Sequence, residues 1–289
     1  MKFIAMANYG LSATFLFLAS CATESPTTSS NSSNELGRER SSLDPPDLRE
    51  STSAPRGAAA PTLVPGAKQV GYYDMFAGAG QSYQVGSIVA GGGTPVLVDD
   101  PSAAELANLN VLMVTNPDNG GFGFGYVNRL SDIAAAVQNG MVLVIHDRAV
   151  MGAAGILPNG ASFSINRDFT EAADINIRDN STIVTSGLTD LSLDGGNSSS
   201  HGFALDASLP AKAKLLLTAT TSSHIVTFCY GVGKGAVIYS TIPLDFYLAG
   251  GGSLAEVLSN VYTPHVVQYA LAGACATRGP RPTPNFTGQ

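Results

Sequence analysis

The sequence predicts an α/β fold with a mostly parallel central sheet, and two observations carry this prediction. The apolar runs 111–115 and 141–145 have the length and composition of strands that are buried on both faces. Between them, residues 126–138 place apolar side chains at helical spacing, and Asn139-Gly140 is a typical helix stop. A strand, a helix and a second strand joined by short loops form a right-handed crossover between parallel strands.

The segments before this crossover continue the alternation. Residues 69–73 and 94–98 are rich in β-branched and aromatic side chains and are predicted to be strands. Residues 82–90, which lie between them, are predicted to be a helix.

The segments after the crossover predict a C-terminal β-hairpin. Residues 213–220, 225–230 and 236–240 are strand candidates, and the glycines of 231–235 favour a tight turn between the last two. Residues 254–272 carry a helical apolar pattern that Pro264 interrupts.

Composition limits the classes of partner. The chain has 289 residues, of which 13% are charged, and its formal net charge is −7. The folded part comprises about 210 residues, which is one domain of ordinary size. No basic patch of the kind that nucleic acid requires is present in the sequence, so we exclude nucleic acid as a partner.

The N-terminal segment indicates secretion. Lys2 precedes an apolar run that ends in Leu18-Ala19-Ser20-Cys21, the pattern of a signal peptide. This run is too short and too interrupted to span a bilayer well. The closing tetrapeptide resembles the lipobox of bacterial lipoproteins, which implies a signal peptide at residues 1–20 and a diacylated Cys21, palmitate being a typical chain, that anchors the protein in the membrane. The alternatives are an ordinary signal peptide with an incidental cysteine and an N-terminal membrane anchor.

Residues 21–67 are predicted to be a disordered tether. Ser, Thr, Pro and Asn dominate this segment, and it contains too little apolar surface to offset the entropy of ordering. Ala22 stands where lipoproteins retained in the inner membrane commonly have Asp, so the resemblance implies the outer membrane. The Pro-rich residues 278–289 are predicted to be a flexible tail.

Three stretches in order resemble the trehalose-utilisation (ThuA-like) branch of the class I glutamine amidotransferase-like superfamily. They are residues 137–147, which end in His146-Asp147, residues 181–188, which end in Gly187-Leu188, and the Gly-Lys-Gly strand 233–241. The resemblance implies that residues 68–277 form one amidotransferase-like domain. It also implies a flavodoxin-like three-layer sandwich.

The departures from that family concern its catalytic groups. Amidotransferases place a nucleophilic cysteine on a strained strand-to-helix turn. Here the corresponding turn is His146-Asp147-Arg148, and the chain contains no Gly-x-Cys-x-Gly. Where relatives often show Gly-His-Asp, this chain has Pro243-Leu244-Asp245, which keeps the acid and loses the base. Glutamine hydrolysis is therefore not expected.

Polar side chains follow the predicted strands at the edge where α/β proteins bind ligands. We expect them to line a cleft for a polar ligand such as a sugar or glycan, or for a cation; they are Asp74, Asn116, Asp118, His146, Asp147 and Asp245. The alternative is that they cap helices and satisfy loop amides.

The small, polar loop 194–202 is a second candidate contact. Asp194 and His201 flank glycines and serines, and His201 is a candidate ligand contact or general base. Asp, Asn and Ser oxygens also suit Ca²⁺, although the loop lacks the acidic spacing of a calcium loop. The alternative is an ordinary surface loop. No zinc site is predicted, because the four histidines are far apart in the sequence.

Cys229 and Cys275 either pair in an oxidising compartment or remain two free thiols.

Taken together, these patterns favour a lipid-anchored envelope protein whose domain binds a polar ligand or an envelope partner without catalysis. The first alternative is a hydrolase of a carbohydrate or envelope polymer that uses His146 or His201 with Asp147 or Asp245. The second is a structural lipoprotein that docks another envelope protein.

Overall fold

A computed structural model describes residues 68–196 and 198–275 of the chain. The predicted signal peptide, the Cys21 lipidation site, the tether 21–67 and the tail 278–289 lie outside these residues. Among the described residues, no helix is long and apolar enough to cross a membrane.

The described residues form one ten-stranded sheet in the order β2-β1-β3-β4-β10-β9-β7-β5, with β8 also paired to β9 and β6 to β8. The strands are β1 (Gln69–Asp74), β2 (Thr94–Leu97), β3 (Val111–Asn116), β4 (Val142–Asp147), β5 (Ile165–Arg167), β6 (Asn176–Ile177), β7 (Gly202–Leu205), β8 (Lys214–Thr218), β9 (His224–Val232) and β10 (Gly235–Ser240). Strands β2, β1, β3, β4 and β10 are parallel neighbours, and the remaining pairs are antiparallel.

The helices are α1 (Ser82–Ala90), α2 (Ala103–Leu106), α3 (Phe124–Val127), α4 (Leu130–Asn139), α5 (Asp190–Leu193), α6 (Leu244–Leu248), α7 (Ala255–Val257) and α8 (Thr263–Leu271). Short 3₁₀ turns cover Ala153–Ile156, Ile183–Thr185 and Asp206–Ser208, and a π turn covers Leu258–Tyr262. The prediction of an α/β fold with a large, mostly parallel central sheet is confirmed at this level.

The core lies on both faces of the sheet, because successive strand residues point to opposite sides. On one face the strands pack against Ile88 of α1 and Val266 of α8. On the other face they pack against Leu106 of α2 and Ile133 of α4. Both faces of β3 and β4 are therefore buried, as their uninterrupted apolar runs predict.

Two predicted helices are divided. The helix predicted over 126–138 is interrupted at Arg129, which leaves helical geometry and pairs through Nε with Asp100 Oδ1 at 2.7 Å. The helix predicted over 254–272 consists of α7, the π turn and α8. Pro264 stands in the first turn of α8, directly after the π turn. The Thr263 hydroxyl donates to the Leu258 carbonyl at 2.6 Å across the widened turn.

Cys229 of β9 and Cys275, which follows α8, form a disulfide with a Cα–Cα distance of 5.9 Å. The bond joins residues 46 positions apart and attaches the end of the last helix to the sheet.

Candidate functional site

The carboxyl ends of β1, β3, β4 and β10 meet at one edge of the sheet, because these strands are parallel. The connections that leave this edge carry the predicted site residues. In open α/β sheets this edge is where ligands bind.

Asp147 lies at the end of β4, and its carboxylate is fully engaged by the protein. Its Oδ1 accepts from Asn116 Nδ2 at 2.8 Å and from the Ala149 N–H at 2.9 Å. Its Oδ2 accepts from the Tyr239 hydroxyl at 2.9 Å and from the Val150 N–H at 3.1 Å. Burial raises the pKa of Asp147 and these four hydrogen bonds oppose that rise. Asp147 therefore organises the turn after β4.

His146 points to the opposite face of the sheet. Its Nε2 lies 3.2 Å from the Tyr262 hydroxyl, which also approaches Thr227 Oγ1 at 3.4 Å, whereas Nδ1 is buried without a partner. Burial lowers the pKa of His146 to about 3, so the ring is neutral near pH 7. His146 and Asp147 are adjacent in sequence, but they do not share a site.

The turn after β4 contains a β-branched residue in a rare conformation. Val150 is fully buried and has φ 61°, a left-handed conformation that is strained for valine. The sharp bend therefore lies beyond the predicted turn His146-Asp147-Arg148, because β4 continues through Asp147.

Arg148 connects two of the predicted site residues. Its Nη2 lies 2.7 Å from Asp245 Oδ2, and its backbone carbonyl accepts from His201 Nδ1 at 3.0 Å. Burial raises the pKa of Asp245 to about 6, Arg148 opposes this rise, and the charge of Asp74 adds to it. Burial also lowers the pKa of His201 to about 4.

A cavity of about 380 Å³ opens beside this pair. Its polar walls are Arg148 and His201, and its aromatic walls are Phe246 and Tyr247. The remaining described lining residues are mostly small: Gly195, Gly196, Ser198, Pro243, Gly252 and Ser253. The Ser253 hydroxyl donates to the Gly195 carbonyl at 3.2 Å, which joins the two loops that form the mouth. None of the described lining residues is a cysteine.

The remaining predicted contacts serve local structure. Asp74 accepts from the Phe76 and Ala77 N–H groups and from the Tyr83 hydroxyl, so it closes the turn after β1. Asp118 accepts from the Gly120 and Gly121 N–H groups, as turn-forming aspartates do.

Asp194 accepts from the Ile175 N–H at 3.0 Å, and its pKa is raised chiefly by burial. It lies next to the cavity loop but does not line the cavity. Across residues 68–196 and 198–275, no group of three or more His, Cys, Asp or Glu side chains is placed to hold a metal ion. Ca²⁺ at this loop stays a prediction.

The structure thus places His201 in the cavity wall and brings Asp245 to it through Arg148, whereas Asp74, Asn116, Asp118, His146, Asp147 and Asp194 lie elsewhere. Sequence reasoning missed Arg148, Phe246 and Tyr247. Arg148 directly follows the buried strand and Phe246-Tyr247 directly follow Asp245, so position after a strand was the available signal.

No family model matches the chain, and no curated protein matches it. Among solved structures, Cytoplasmic Protein STM3548 from Salmonella typhimurium aligns with 70% of this chain and 97% of its own, at 12% identity and a TM-score of 0.46.

Proposed function

We propose that the chain is a lipid-anchored protein of the bacterial cell envelope whose domain binds a polar ligand or an envelope partner without catalysing a reaction. We further propose that this domain is a flavodoxin-like three-layer sandwich related to the ThuA-like amidotransferases. One observation carries the binding function: an open cavity with Arg148 and His201 in its walls lies beside a turn whose strained residue is Val150. In amidotransferases, a nucleophilic cysteine occupies such a turn.

The surroundings of Asp147 and His146 support binding over catalysis. Both carboxylate oxygens of Asp147 accept hydrogen bonds from the protein, and His146 is buried on the other face of the sheet. A general acid or base has to reach the proton that it transfers. Neither side chain meets that condition.

Exposed apolar side chains on the same connections support an envelope partner. Phe76 follows β1, Phe124 follows β3 and Met151 follows β4, and their exposed fractions are 52%, 79% and 63%. Phe169 and Phe246 are also exposed and adjoin His201 and Arg148. Exposed apolar side chains on the loops of one sheet edge support a docking surface there.

A second candidate is the hydrolase, and the environments of His201 and Asp245 favour it. Because His201 Nδ1 donates to a carbonyl, Nε2 carries the lone pair of the neutral ring. The pKa of His201 is lowered to about 4, whereas that of Asp245 is raised to about 6. Two groups whose pKa values are shifted in this way suit a base and an acid.

The test uses the full chain with Cys21→Ser, which removes the predicted lipid and keeps the protein in solution. Thermal shifts are measured against sugars, glycan fragments and divalent ions. We expect one of these ligands to stabilise the protein and the cavity-filling variant Ser253→Tyr to abolish the effect. The matched control is Ser131→Tyr, an exposed serine on α4 outside the cavity.

Two outcomes would contradict the proposal. If Ser253→Tyr responds to the ligand as the parent chain does, the cavity is not the site. If the parent chain cleaves a bound ligand, as followed by mass spectrometry, and His201→Gln does not, the protein is the hydrolase.

A further inference from the structure

The Arg148–Asp245 pair makes only one of the two hydrogen bonds that a guanidinium and a carboxylate can form side by side. Arg148 Nη2 and Asp245 Oδ2 are 2.7 Å apart, whereas Arg148 Nε is buried without a hydrogen-bond partner in the described part of the chain. The guanidinium, which lines the cavity, therefore keeps an unused donor.

Arg148 favours the ionised form of Asp245, whereas other features of its surroundings oppose it. The side chain is about nine-tenths buried, and both burial and the charge of Asp74 disfavour its ionised form. The charges that act on the neighbouring His201 ring are those of Arg148 and Arg167, and both are positive. An anion at this wall would therefore meet the guanidinium groups of Arg148 and Arg167, although the whole chain is acidic and Asp245 already pairs with Arg148.

The walls beside Arg148 are aromatic. Phe246 is 42% exposed, its ring centroid lies 5.8 Å from Arg148 Cζ, and it contacts the Tyr247 ring at a centroid distance of 5.3 Å. Glycines at 195, 196 and 252 leave the space in front of these rings open. The volume lies within the usual range of small-molecule sites, about 300–1,000 Å³.

We infer that this cavity binds an organic anion: Arg148 receives the anionic group in exchange for Asp245, and the rings of Phe246 and Tyr247 contact the apolar body. The inference rests on the proposed function and names the chemistry of its polar ligand. No covalent step is involved.

The test measures binding of benzoate, benzamide and acetate to the full chain with Cys21→Ser by ligand-observed NMR and calorimetry. Benzamide has the shape of benzoate without its charge, and acetate has the charge without the ring. We expect benzoate to bind more tightly than either, and Phe246→Ala to remove its advantage over acetate. The matched control Leu97→Ala removes an exposed apolar side chain of β2, outside the cavity, and leaves this advantage intact.

Charge variants separate recognition from a structural role. Asp245→Asn releases Arg148 and is expected to tighten benzoate binding by about threefold to tenfold. The double variant Arg148→Gln with Asp245→Asn leaves no buried charge unpaired, so it is expected to fold and to bind benzoate no better than benzamide. Arg129→Gln, which breaks the surface pair with Asp100, is the control and changes neither value.

Equal binding of benzoate and benzamide by the parent chain, or unchanged binding in Asp245→Asn, would overturn the inference. If benzoate does not bind but a sugar stabilises the parent chain and not Ser253→Tyr, the ligand class is wrong and the proposed function stands. If no ligand binds the parent chain more tightly than Ser253→Tyr, both the inference and the proposed function fail.

Discussion

His146 and Asp147 show how one residue of register separates two side chains. Both are buried at the end of β4, but His146 reaches Tyr262 on one face and Asp147 reaches Tyr239 on the other. The sequence alone places them at one sheet edge and makes a shared site attractive. Strand alternation then divides them between two cores.

The buried histidine has a consequence for the dependence of stability on pH. The folded pKa of His146, about 3, lies below its ordinary value of 6.5. Its contribution to stability is therefore present above pH 6.5 and is lost as the pH falls. His201 acts in the same direction, whereas Asp245, raised from 3.8 to about 6, contributes stability that is lost as the pH rises through 6.

We expect the free energy of unfolding of the parent chain, measured with urea, to fall between pH 6.5 and 5. His146→Gln should reduce this slope by up to about 1.4 kcal/mol per pH unit, because glutamine keeps a hydrogen-bonding group but cannot be protonated. Asp245→Asn should instead steepen the fall. Parallel curves for the parent chain and His146→Gln would contradict this account.

At the scale of elements, the β9–β10 hairpin was predictable because its turn contains a position that requires glycine, both for its backbone angles and for space. Gly233 has φ +58°, and an added Cβ would lie 2.7 Å from the Gln138 carbonyl oxygen and 2.8 Å from the Gln138 Cα. The turn thus packs directly against the end of α4 as well as adopting left-handed geometry.

Gly233→Ala is expected to destabilise the protein by about 2–3 kcal/mol, because conformational strain and steric contact add. Gly250→Ala is the matched control: Gly250 also has positive φ, +88°, but no atom lies within 4 Å of its added Cβ. Its cost should be limited to about 1 kcal/mol. Chemical denaturation measures both values, and equal costs would show that contact with Gln138 is unimportant.

The disulfide gives a second prediction at this scale. Cross-linking residues 46 positions apart restricts the unfolded chain, so Cys275→Ser should lower stability by about 4 kcal/mol under oxidising conditions. The difference between the variant and the parent chain should vanish once a reductant is added. If it persists there, Cys275 stabilises the fold through packing and not through its bond.

Other elements were beyond sequence reasoning. Strands β5, β6 and β7 contain three, two and four residues, and pairing with their neighbours defines them more than any periodic pattern does. At the break between α3 and α4, Arg129 pairs with Asp100, a residue 29 positions earlier in the chain. By contrast, the strands β3 and β4 could be predicted, because a strand that is buried on both faces is a continuous run of apolar residues.

At the scale of the whole molecule, the predicted lipid anchor can be tested without reference to the cavity. Cys21→Ala removes the thiol that would carry the acyl chains, and two or more such chains are what make anchoring stable. We expect the parent chain in the membrane fraction of a bacterial host and the variant in the soluble periplasmic fraction. A variant that stays in the membrane fraction would contradict lipidation at Cys21.

The site as a whole was only partly predictable. The parallel topology directed attention to the carboxyl edge and to Asp245, and the small, polar composition of residues 194–202 directed attention to His201. Neither signal identified Arg148. A lone arginine after a strand belongs to no sequence motif, and its contacts with Asp245 and His201 exist only in the folded chain. Residues that meet only in the folded structure do not form a recognisable sequence motif.

The chain enters the sheet at Gln69, the first residue of β1, and the cavity opens where the parallel strands finish. Gln69 and the cavity therefore lie at opposite edges of the parallel strands.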